Sequence, residues 1–345
     1  MNDDVPMERS RGRAARAGIA LATVLVAVSS LWGCGATGRG GTGGTSGGSS
    51  PVQPSPSASP SKTPHTPKPS PTAGQGAGTG PAVRATRVVF IDVGQGDAAA
   101  VRSGRWSGLI DGGPAGSEEA VEAALRRLGV RRLSAVAVSH MHADHIGALP
   151  HLIEEWRPRV VYVAARPTAA LRSACSAAGA RVTRVAKGSP AMRWGAATAR
   201  VLSPASLSGD ANEDSMVVLL VAAGRRFLFT GDCTGPNEAA VGLTCARGPP
   251  LTVLKVAHHG SRYSTSSTFL VDARPKAAVI SVGPNSYGHP TAGALGRLRR
   301  AGATVYTTWK NGTITFTVGA NGALKRSFTR SPQRVKSRAD ARGGS

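Results

Sequence analysis

Four of the eight histidines fall within twelve residues, at His140, His142, His145 and His151. Three of them share the string Ser139-His140-Met141-His142-Ala143-Asp144-His145 with a carboxylate. Imidazole nitrogen and carboxylate oxygen are donors that divalent transition ions take, and four of them in six positions exceed what a single ion with an open position uses. Two ions sharing the loop would divide it as His140 and His142 on one, Asp144 and His145 on the other. Such a pair needs a bridging anion, and Asp232, at the tip of the apolar run Phe227-Leu228-Phe229-Thr230-Gly231-Asp232, is the best placed carboxylate. A further imidazole comes from Leu254-Lys255-Val256-Ala257-His258-His259-Gly260-Ser261. One of its two histidines completes the second ion, and the other contacts substrate or protonates a leaving group; the reading leans to His258 as ligand and His259 as catalytic. The chemistry this implies is metal-assisted hydrolysis, with Asp144 orienting the attacking water and His259 or His289 donating to the leaving oxygen. His289, in Tyr287-Gly288-His289-Pro290, reads equally well as a structural loop residue.

The elements around these residues follow an α/β rhythm, with short β-branched runs alternating with helical segments. Strands are expected over 86–93, 98–102, 108–110, 134–138, 160–163, 181–185, 198–202, 216–222, 226–229, 251–256, 277–282, 304–307 and 313–317. Helices fit 117–128, 146–156, 168–178, 267–271 and 291–301. Asp92, Asp111, His140, Asp232 and His258 each fall at or just past the end of an expected strand. Strand ends converge on one edge of an α/β sheet, so five unconnected segments can build one site. Asp92 and Asp111 read as supports, holding loops or orienting metal-bound histidines from behind. Val93-Gly94-Gln95-Gly96-Asp97 is glycine-rich but lacks dinucleotide-binding spacing, so no nucleotide cofactor is expected.

The His140 to His145 run, the Thr230-Gly231-Asp232 strand end and the His-His-Gly-Ser string resemble the metallo-β-lactamase superfamily. More narrowly, Phe90-Ile91-Asp92-Val93-Gly94-Gln95-Gly96-Asp97-Ala98, Leu109-Ile110-Asp111-Gly112-Gly113 and Tyr287-Gly288-His289-Pro290 are similar to strings in the C-terminal hydrolase domain of ComEC-type competence proteins. The resemblance runs from Val88 to Thr317. It implies a single-domain, four-layer αββα sandwich with two divalent ions, Zn2+ or Mn2+, at one edge, and nuclease activity on DNA during its uptake. Two departures stand out. The channel that accompanies the domain in those proteins has no counterpart here, so a tether is expected in place of a pore. Many superfamily members also supply a first-metal histidine between the His-rich loop and the bridging Asp, and none occurs between His151 and Asp232. Asn212 or Asp214, in Ala211-Asn212-Glu213-Asp214-Ser215, is the expected substitute as weak ligand or substrate contact.

Composition divides the rest. Residues 1–33 read as a signal peptide with a short apolar run, Gly18 to Leu31, below the roughly 20 residues a membrane span needs. Leu31-Trp32-Gly33-Cys34 resembles a lipobox, which makes Cys34 the expected lipid anchor and the protein an exported or cell-surface one. Residues 34–83, rich in Gly, Ser, Thr and Pro, read as a disordered tether. The hydrolase domain is expected over 84–324 and a basic disordered tail over 325–345. Net charge is +23. Residues 1–83 hold seven of the 42 basic and three of the 19 acidic residues, so 35 against 16 leaves +19 on residues 84–345. That charge favours a polyanionic partner such as DNA and argues against a β-lactamase. Rival expectations are a small-ester or phosphocholine-type phosphodiester hydrolase, and a non-catalytic DNA-binding lipoprotein. Cys233 and Cys245 are expected to pair, the alternative being that they and Cys175 are buried thiols.

Overall fold

Residues 85–330 are described by the computed structural model. The expected signal peptide, Cys34 anchor and tether lie outside them, as does the tail beyond Arg330. Among the described residues the order is β1 (Thr86–Phe90), β2 (Ala98–Ser103), β3 (Trp106–Gly112), α1 (Glu118–Arg127), β4 (Ala135–Val138), α2 (Ala143–Ile146), α3 (Leu149–Trp156), β5 (Val160–Val163), α4 (Ala169–Ala178), β6 (Arg181–Arg184), β7 (Met192–Trp194) and β8 (Ala197–Ser203). There follow β9 (Val217–Ala222), β10 (Arg225–Phe229), α5 (Gly235–Ala246), β11 (Val253–Lys255), α6 (Ser267–Ala273), β12 (Ala277–Ile280), α7 (Ala292–Arg300), β13 (Thr304–Thr307), α8 (Thr308–Asn311), β14 (Ile314–Val318) and β15 (Leu324–Phe328).

Two mixed sheets result, ordered β15-β14-β1-β2-β3-β4-β5-β6 and β13-β12-β11-β10-β9-β8-β7. The alternation of a strand decides which layer each side chain joins. In β1, Val88 and Phe90 enter the core between the sheets with Phe227, Phe229 and Phe316, and Phe90 stacks on Phe229 with centroids 5.6 Å apart. Val89 and the following Ile91 point the other way, into a core shared with Leu125 of α1, Leu152 of α3 and Leu171 of α4. The second sheet buries Leu228 and Leu254 against Val241, Phe269 and Leu298 of α5, α6 and α7. Each fully buried Phe or Leu contributes roughly 1.5–3 kcal/mol. The layers are thus helix, sheet, sheet, helix, as expected.

Two expectations fail. Residues 325–328, expected to open a disordered tail, continue a strand that starts at Leu324: β15 pairs antiparallel with β14 in the register Leu324↔Val318 to Phe328↔Ile314. Its side chains are mostly exposed, so backbone pairing rather than hydrophobicity fixes it, and apolar patterning could not announce it. Cys233 and Cys245 are free and buried. Cys233 precedes α5 and Cys245 lies in its last turn, and at about 1.5 Å rise per residue the helix between them exceeds the roughly 7 Å Cα separation a disulfide tolerates.

The parallel strands aim the site. β3, β4, β5 and β6 run parallel in one sheet, and β10, β11, β12 and β13 in the other. The loops after β3, β4, β10, β11 and β12 leave the C-terminal edges and carry the polar residues.

Candidate metal centre

Each of those loops is shaped by a local constraint. After β4, Ser139 N donates to Asp111 Oδ1 at 2.7 Å, fixing where the His-rich loop departs. After β10, Gly231 has φ +51, and a Cβ there would lie 2.7 Å from Ser139 Cβ, so the two loops approach only because that residue is glycine. The loop before β2 closes on the same region: Asp97 N donates to Asp144 O at 3.1 Å, and a Cβ on Gly96 would overlap that carbonyl. After β11, His258 and His259 both adopt left-handed φ values of 50°. Left-handed backbone costs a β-carbon-bearing residue about 1–2 kcal/mol, and strain of that kind collects at functional sites.

Four groups of donors meet at this edge, each with its atoms within 4.8 Å of one another: His140 with His142 and Asp232, Asp144 with His145 and His259, and, behind them, Asp97 with Asp232 and His259 and Asp97 with Asp111 and His145. Asp232 stands between the first two, with Oδ2 3.9 Å from His140 Nε2 and Oδ1 3.3 Å from His145 Nε2 and 3.8 Å from His259 Nε2. The far nitrogen of each buried imidazole is tied. His140 Nδ1 meets Ser139 Oγ at 3.0 Å, His145 Nδ1 meets Asp111 Oδ2 at 3.0 Å, and His259 Nδ1 donates to Ser281 O at 2.9 Å. His259 therefore carries a proton on Nδ1 and turns its Nε2 inward. The Asp232 backbone is also held, since its amide N donates to Ser215 Oγ at 3.0 Å.

A metal fits this arrangement on an observation independent of any family. His140 Nε2, His145 Nε2 and Asp232 Oδ1 are buried yet have no hydrogen-bond partner. Orphaned buried donors and acceptors carry a desolvation cost that a bound cation removes. The nitrogen and oxygen donors suit a divalent ion.

The electrostatics divide the same residues. Burial, with His145 nearby, pushes the His140 imidazole down to about 2, so it is neutral. Burial also opposes charge on His145 and His259, but Asp232 foremost, with Asp111 for the one and Asp144 for the other, raises both above the usual histidine value. Burial would raise the Asp232 and Asp144 carboxyls. Their histidine partners win and hold both below the usual carboxylate range.

Of the two successive histidines, the second is the one set among the grouped donors. His259, with 2% of its side chain exposed, joins Asp144 and His145, its Nε2 3.0 Å from Asp144 Oδ2. His258 is 28% exposed and faces Asp232 Oδ2 at 3.7 Å. Two successive left-handed residues turn the second ring inward and leave the first at the cleft. Asp111 lies behind His145 as expected. Asp92 does not reach the centre: its amide is held by Thr313 Oγ1 and its carboxylate by Arg330 at 2.9 Å. Asp214 is engaged elsewhere, accepting from Ser208 N and Gly209 N. Asn212 lines the cleft with Oδ1 unpartnered, and His289 lines it too, its ring 5.6 Å from that of His258. His151 pairs with Glu122 on the helices, away from the site.

Two residues escaped the sequence reading. Lys255 is buried at the end of β11, where its ammonium pairs closely with Asp97, donates to Gly231 O at 2.9 Å and lies 3.9 Å from Asp232. Asp97 in turn lies 3.7 Å from His145 Nδ1 and 3.8 Å from His259 Nδ1. A lysine inside the apolar run Val253-Leu254-Lys255-Val256 was the available signal, because a charge is buried only with a partner.

A cleft of about 430 Å³ opens onto the centre, lined by Gln95, His142, Asp144, Asn212, Asp232, His258, His259, Tyr287 and His289. An open, polar, histidine-rich cleft over two clustered donor sets defines a metal-dependent hydrolase rather than a closed structural site. Residues 91–283 match the model of the metallo-β-lactamase superfamily, and the chain belongs to that superfamily. Among curated relatives it is 30% identical over 254 residues to ComE operon protein 3 of Bacillus subtilis (strain 168), covering 66% of this chain and 32% of that one. It is 30% identical over 245 residues to competence protein ComA of Neisseria gonorrhoeae, covering 68% and 33%. The chain thus spans about a third of the length of these relatives. Among solved structures, the metallo-β-lactamase fold protein YhfI from Bacillus subtilis aligns with 71% of this chain and 100% of its own, at 13% identity and a TM-score of 0.46. Among the described residues no helix is long and apolar enough to cross a membrane.

Proposed function

We propose that this chain is an exported phosphodiesterase that cleaves DNA at a centre of two divalent ions, Zn2+ or Mn2+. The observation that carries the reading is Asp232, whose two oxygens face different donor groups, one with His140 and His142 and the other with Asp144, His145 and His259. Ions held there would supply Lewis acidity to a phosphoryl oxygen and lower the pKa of an attacking water.

The chain's own residues do the rest. Asp144, ionised and held by His259, accepts a hydrogen bond from the water and orients it. His258 and His289 stand on the open side of Asp232, where a proton can be delivered to the leaving oxygen. Asn212 offers its amide to the substrate from the cleft wall. The net charge of +23 favours a polyanion, and the competence-protein relatives support DNA during its uptake as the substrate. Lipidation at Cys34 would hold the enzyme at the cell surface.

The purified protein is given plasmid DNA, single-stranded DNA and bis(p-nitrophenyl) phosphate with Mn2+ or Zn2+, beside the Asp144→Ala, His145→Ala double variant. Metal-dependent DNA cleavage, at least about 10³-fold slower in the variant, is expected, because ion-borne charge stabilisation is worth several kcal/mol. Hydrolysis of the small diester alone would sink the DNA assignment.

A further inference from the structure

Tyr287 is 73% exposed on the wall of the metal-bearing cleft, and no step described above uses it. Its loop is rigidly braced. Asn285 Nδ2 donates to Gly283 O and His289 O, both at 2.8 Å, and Asn285 Oδ1 accepts from His289 N at 3.1 Å. The loop is then fastened to the histidine turn, with Thr291 N and Oγ1 donating to Gly260 O at 3.0 and 3.1 Å. One face of the tyrosine ring is stacked on His289, with centroids 5.8 Å apart and planes 28° from parallel. His289 meets His258 edge to face, and His258 reaches to 3.7 Å from the Asp232 carboxylate. A series of rings therefore leads from the metal centre to the rim and ends in an uncovered aromatic surface.

We propose that Tyr287 is a stacking platform for the unpaired nucleobase next to the phosphodiester being cleaved, so that the cleft takes single-stranded DNA in preference to intact duplex. The proposal rests on the nuclease reading above. Inside a duplex both faces of a base are covered by its neighbours, so a protein ring reaches a base face only where the strand is unpaired. A held ring loses little freedom on binding, which raises the return from each contact. The phosphate backbone then lies along the cleft floor beside Asp232, and the base lies over the free face of Tyr287.

The test uses phosphorothioate-linked oligothymidylate, the same strand with abasic sugars, and oligouridylate, titrated by fluorescence anisotropy into the Mn2+-loaded protein. The expected result is tighter binding of oligothymidylate than of the abasic strand, by roughly 5- to 100-fold, the range for one base–aromatic stack. Tyr287→Ala should erase that preference and Tyr287→Trp restore it. Equal affinity for the two strands in the unaltered protein, or an equal loss for both in Tyr287→Ala, would overturn the platform. Weaker binding of oligouridylate supports a DNA source for the base, and equal or tighter binding overturns it. Failure of the nuclease reading has a different signature: base preference intact, with no metal-dependent cleavage of the ordinary phosphodiester strand.

Discussion

The two donor groups that share Asp232 are built differently. In the group of Asp144, His145 and His259, both imidazoles are buried and tied from behind, by Asp111 and the Ser281 carbonyl, and the Asp97–Lys255 pair lies beneath. In the group of His140 and His142, His142 is exposed and its other neighbours are Asn212 and His258 on the cleft wall. One half is preorganised by a shell that cannot move without disturbing the core. The other is left open, as a half that receives substrate must be.

Breaking the shell should have the largest effect. Lys255→Met leaves Asp97 and Asp232 as uncompensated buried carboxylates, and unfolding in denaturant should show a loss of about 3–5 kcal/mol. Adding Asp97→Asn should recover part of it; a single variant as stable as the original protein would remove Lys255 from this account. A step smaller, Asp111→Asn keeps the shape but weakens the brace on His145, and metal titration should show affinity down by roughly 10- to 100-fold. The third effect sharpens the comparison through pH. His145 and His259 are raised above the usual histidine value, chiefly by Asp232, so these rings hold a proton more tightly than usual and an ion has to displace it. Metal affinity at this half should rise with pH by up to about tenfold per unit for each proton displaced. The stabilisation these two charges give the metal-free fold is full at low pH and falls away as pH climbs through their raised values. His140 is pushed down to about 2 and neutral, so it has no proton to surrender to an ion at the open half. Calorimetry in buffers of differing ionisation heat measures the protons released, and equal release from both halves would break the distinction.

Much of this was legible in the sequence because the site lies at strand ends, where apolar runs stop at Asp111, His140 and Asp232. The His-rich loop carried its ligands in local spacing, which no tertiary contact has to supply. What stayed hidden depends on chain reversal or distance. Whether His258 or His259 turns inward is decided by left-handed backbone at both, which their side chains do not encode. Lys255 and Asp97 meet across 158 positions, and only the folded sheets bring them together. Helix α5 went unread because it opens Gly235-Pro236 and its apolar residues are too evenly spread to form a stripe. The edge strand β15 went unread because an exposed strand needs only backbone partners.

The ion pair between Asp92 and Arg330 bears on how the domain closes. The first described strand, β1, is zipped to β14, and β14 to β15, so the two ends of the described chain meet side by side. The junction is clasped at the loop that goes on to deliver Asp97 beneath the clustered histidines. The floor of the site is therefore also the seam of the domain, where the last described strand closes the enclosure around the first.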